Sequence, residues 1–113
     1  MDIRIFWKYA VPFVCRSVDH DAIKKMRKRF NSRAFRSCAL YGPLKAICKG
    51  WPVHHILPIS LGGNNDRSNL AIVRPDLEHA IHAFIDAQYR PTWNGTYMLY
   101  IPVFSGKIWG LNV

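Results

Sequence analysis

A chain of 113 residues has room for one domain with its own core and not for two. Hydrophobic residues make up 50% and charged residues 20%, which excludes a disordered chain, and no apolar run approaches the ~18 residues of a membrane helix. The formal charge is +9 and lies wholly in residues 1–50, with 12 basic against 3 acidic side chains, while residues 51–113 carry 4 of each.

Residues 2–9 alternate apolar and polar except at Phe6, so a short strand is predicted, ended by Pro12. A helix should begin near Asp19 or Asp21, either of which can cap its first turn. Ile23, Met26, Phe30, Ala34 and Cys38 recur at three- and four-residue steps as one apolar stripe. Gly42-Pro43 should stop this helix. Its other faces carry seven cations between Lys24 and Arg36 without one acid, too unbalanced for a salt-bridge-laced helix. A solvated surface face is the plain alternative. The charge favours a phosphate-tracking surface, with Lys24, Lys25, Lys28, Arg29 and Arg33 as candidate contacts and DNA as the candidate partner. A membrane-surface helix would need bulkier aromatics than Phe30 and Phe35.

Further along, residues 53–57 and 70–73 read as strands on either side of a loop tipped by Gly62-Gly63-Asn64-Asn65. Pro75 suits the first position of a helix running to about Gln88, with Leu77, Ile81, Phe84 and Ile85 facing inward. Residues 96–104 and 107–113 read as two strands joined at Ser105-Gly106, a C-terminal hairpin. The fold class expected is α+β in a single domain, residues 1–113. Cys15, Cys38 and Cys48 form no CxxC pair and are odd in number, so they read as buried thiols rather than disulfides or zinc ligands. No signal-peptide pattern is present, which places the chain in the cytoplasm by default. No protein partner is deducible.

Four of the five histidines lie in residues 53–82. His54 and His55 on a strand point to opposite faces, so they suit different tasks. His79 and His82 are neighbours on one helix face, and Glu78, four residues before His82, shares part of it. The order His54-His55-x-x-Pro58-x-x-x-Gly62-Gly63-x5-Asn69-Leu70, followed by helical histidines, resembles the HNH endonuclease family. The match covers about residues 52–86, and the size is similar to that of stand-alone members from phages.

The resemblance implies a ββα-metal finger over about residues 52–88, with the basic helix and the hairpin around it. It implies His54 as a metal ligand, His55 as the general base, Asn69 as the brace of the finger, in some members also a metal ligand, and His82 as a helical ligand. Colicin-type members space their helical histidines by four. Here the spacing is three, so the second helical ligand is open between His79 and Glu78. Many members also carry CxxC pairs, which this chain lacks. The activity implied is hydrolysis of DNA phosphodiester bonds with one divalent ion, Mg2+ or Mn2+, with Zn2+ or Ni2+ also compatible with imidazole ligands. A binding protein that retains the finger without catalysis, and an RNA-cleaving or toxin nuclease, are the alternatives.

Overall fold

A computed structural model describes residues 2–30, 50–90 and 92–110, and it is an α+β fold. Its elements are a 3-10 helix Ile3–Lys8, strand β1 Ala10–Arg16, helix α1 His20–Phe30, strand β2 Val53–His55, strand β3 Leu70–Val73, helix α2 Pro75–Asp86, strand β4 Thr96–Pro102 and strand β5 Ile108–Trp109. No helix among the described residues is long and apolar enough to cross a membrane.

The N-terminal segment is helical, not the strand expected from alternation. Asp2 caps it by accepting the Arg4 amide at 3.0 Å. Phe6, the residue that broke the alternating pattern, is the one this segment buries, edge-on to Phe84 at 5.7 Å and to Phe104 at 6.1 Å. Burying one such ring contributes roughly 1.5–3 kcal/mol, enough to override a weak local strand preference. The strand begins after this segment and runs through Pro12. Among the described residues β1 pairs only with β4, from Ala10↔Pro102 to Arg16↔Thr96, and a strand with one free edge tolerates proline.

The tail is not a hairpin. β4 pairs antiparallel with β1, and β5 pairs parallel with β3 through Ile72↔Ile108 and Val73↔Trp109. The turn at Ser105-Gly106 sends the chain to a second sheet, where Trp109 is buried at 1% exposure beside Phe104. Cross-sheet burial of Trp109 outweighs the local hairpin signal, which carries no information about what else lies nearby.

The middle of the chain follows its periodicities. β2 and β3 pair antiparallel with His54↔Ala71 and His55↔Leu70. Every residue of β3 is buried, as expected of a strand covered on both faces. α2 has proline in its first turn and buries Leu77, Ile81, Phe84 and Ile85. α1 is capped by Asp19, whose carboxylate accepts from the amides of Asp21 at 3.1 Å and Ala22 at 3.3 Å. Ile23, Met26 and Phe30 are half-buried, while Lys24, Lys25, Arg27, Lys28 and Arg29 are exposed. The expected continuation of this helix to Gly42-Pro43, with Arg33, Arg36, Cys38 and Cys48, lies outside the described residues. Cys15 is buried and free.

Candidate active site

The loop between β2 and β3 is held by its own polar groups. Asn69 accepts the Leu57 amide through Oδ1 at 2.8 Å and donates through Nδ2 to the carbonyls of Leu57 at 3.0 Å and Asn64 at 2.8 Å. This side chain therefore clasps both ends of the loop. These three hydrogen bonds make Asn69 a brace of the loop. Two glycines serve the same loop for different reasons. Gly62 has φ of +103°, a left-handed conformation. Gly63 instead permits close approach, since a Cβ there would stand 1.8 Å from the Leu57 carbonyl oxygen.

Successive residues of β2 face opposite ways. His54 is buried at 2% exposure and points to α2. Its Nε2 is buried with no hydrogen-bond partner among the described residues. His54, Glu78 and His82 bring one ligand atom each within 4.8 Å of one another. Glu78 and His82 are one turn apart, with Oε1 3.6 Å from Nε2. His79, the other candidate for the second helical ligand, is exposed and outside this group. The reason is helical geometry: at 3.6 residues per turn a spacing of four keeps Glu78 over His82, and His79 is rotated about 100° from Glu78.

Burial pushes the His54 imidazole down to about 4, with the nearby His82 adding to the effect and Glu78 opposing it. The Glu78 carboxylate beside it raises the pKa of His82. A neutral, unpartnered, buried imidazole nitrogen facing a carboxylate and a second imidazole is a donor set suited to a divalent cation. An orphaned buried acceptor is costly unless something satisfies it.

His55 faces away from His54. Its Nε2 lies 2.8 Å from Oδ1 of Asn65, and its ring meets that of Phe30 at a centroid distance of 4.5 Å. Burial lowers its pKa, the hydrogen bond to Asn65 opposes that, and the Arg27 charge lowers it further. Both histidines nonetheless border one cleft of about 420 Å³, which Arg27, Phe30, Glu78 and His82 also line. The cleft thus collects an imidazole free of the ligand group, a candidate cation site and a guanidinium.

Arg27 and Asn65 escaped the sequence reading of the site. Arg27 stood among the helix cations but was not singled out, since only tertiary packing turns it toward His55. Asn65 read as a loop tip, and nothing local distinguishes an amide that reaches back ten residues. Of the expected phosphate contacts, Lys24, Lys25, Lys28 and Arg29 stand exposed on α1, and Arg33 lies outside the described residues.

No family model, curated protein or solved structure matches this chain.

Proposed function

We propose that this chain is a metal-dependent endonuclease of the HNH type that hydrolyses DNA phosphodiester bonds. The observation that carries the reading is the separate placement of two neighbouring histidines on β2. His54 offers an unpartnered buried nitrogen to Glu78 and His82, while its neighbour His55 is held apart in the same cleft by Asn65. On this reading β2, β3 and α2 are the ββα-metal finger.

His54, Glu78 and His82 would hold one divalent ion, and two imidazoles with a carboxylate favour a transition ion over magnesium. When bound, that ion supplies charge stabilisation to the phosphate and the leaving oxygen. His55 takes the proton from the attacking water. Burial and the Arg27 charge favour its neutral form, which is the form a base needs near neutral pH. Arg27 would balance negative charge on the phosphate in the cleft. The new P–O bond forms as the bond to the 3′-oxygen breaks, and that oxygen takes a proton from solvent. The cations of α1 would hold the flanking phosphates.

Plasmid cleavage with Mn2+, Zn2+, Ni2+ or Mg2+, with and without a chelator, tests the reading, and RNA competitors test the substrate class. Binding without cleavage in every metal would instead favour the non-catalytic DNA-binding alternative.

A further inference from the structure

Asn65 is buried at 9% exposure although it sits at a loop tip. Its Nδ2 donates to the main-chain carbonyl of Met26 on α1 at 3.1 Å, and its Oδ1 lies 2.8 Å from Nε2 of His55. A carbonyl can only accept, so the amide nitrogen must be the atom facing Met26. The amide oxygen is then fixed toward His55, and Nε2 of a neutral His55 must carry the hydrogen. The lone pair left free is on Nδ1. Asn69 fastens the backbone beside Asn65 by donating to the Asn64 carbonyl at 2.8 Å. Phe30, one turn beyond Met26 on α1, packs its ring against the same imidazole.

We propose that Asn65 is the positioning residue of His55: it fixes the Nε2–H tautomer, leaves Nδ1 as the basic atom, and ties the imidazole to the main chain of the basic helix α1. This inference rests on the nuclease reading for its catalytic meaning, since the atom it leaves unprotonated is the one that would accept the water proton. Its structural consequence is a link between α1 and the base. The helix that carries Lys24, Lys25, Lys28 and Arg29 also supplies the carbonyl that orients Asn65, so seating α1 and orienting His55 are one event. Loss of an orienting partner that lets the ring move by about 1 Å costs on the order of 10²-fold in rate, and a fully wrong tautomer up to ~10⁴-fold.

The test uses the intact protein labelled with 15N in its histidines. Two-dimensional NMR correlating ring nitrogens with ring protons reads the tautomer of each histidine directly. The parent should show His55 protonated on Nε2 and bare on Nδ1. Asn65→Ala should mix the two tautomers and lower single-turnover kcat about 10²-fold, with KM for DNA and the affinity for Mn2+ unchanged. Asn65→Asp keeps an oxygen acceptor for His55 while losing the donor to Met26, so it should keep the Nε2–H tautomer and recover kcat only in part, to a level above that of Asn65→Ala. An Nδ1–H tautomer in the parent would overturn the proposal. So would an Asn65→Ala protein with an unaltered tautomer and kcat within twofold of the parent. The tautomer is read without DNA or turnover, so it fails or succeeds separately from the nuclease reading. A structural role alone would not produce rescue by Asp.

Discussion

Glu78 and His82 stand one turn apart on α2, carboxylate oxygen 3.6 Å from imidazole nitrogen, with the buried His54 imidazole against them. The pair makes a helix face into half of a candidate cation site, and it excludes the residue between them in register, His79. Isothermal calorimetry should therefore separate neighbours on the helix. Glu78→Gln and His54→Ala are expected to weaken divalent-ion binding at least tenfold, because each removes one of three candidate ligands. His79→Ala should bind like the parent. A large loss at His79 with none at Glu78 would show that the helix presents a different face to the ion.

Three shifted imidazoles give the metal-free protein a pH signature, and His55, lowered chiefly by burial, acts in the same direction as His54. His54 falls from an ordinary 6.5 to about 4 because burial penalises its charged form. Between these values the unfolded chain binds a proton that the folded chain refuses, so stability falls as pH drops from 6.5 toward 4. At 1.36 kcal/mol per pH unit the loss approaches about 3 kcal/mol. His82 acts oppositely: Glu78 raises its pKa, so its contribution is fully present below 6.5 and fades as pH rises through the raised value. Denaturant unfolding in chelator across pH 4 to 7 measures the sum. His54→Leu should flatten the acid limb, and an unchanged limb would remove His54 as its cause.

Much of this site was legible because the periodicities of residues 53–86 agree with one another. Alternation placed His54 and His55 on opposite faces, and the helical stripe of Leu77, Ile81, Phe84 and Ile85 oriented α2. The tail was not legible, since β4 and β5 find partners far away in sequence and a local turn signal cannot name them. Phe6 looked like a flaw in a strand until its ring contacts explained it. Asn65 was invisible for the same reason: its importance lies in the Met26 carbonyl, 39 residues distant. Glu78 and His79 differ by one residue of helical register, and only the tertiary placement of His54 against α2 brings Glu78 and not His79 into its group.

Nucleic-acid affinity should reside on α1. Replacing Lys24, Lys25, Lys28 and Arg29 by Ala is expected to weaken binding of a DNA duplex and to reduce the slope of log K against log salt by ~0.9 for each phosphate no longer neutralised. Fluorescence anisotropy over a salt titration reads both. An unchanged slope would show that these side chains do not touch phosphate.

Adjacent histidines on β2 are proposed to do separate work, one on the ion and one on the water. Single-turnover cleavage by His55→Ala, measured at saturating metal beside its calorimetric metal affinity, tests this most directly. The expected result is a rate lower by ~10²–10⁴-fold, the usual worth of a general base, with metal affinity and DNA affinity retained. Cleavage within tenfold of the parent, or loss of the metal together with the rate, would contradict it.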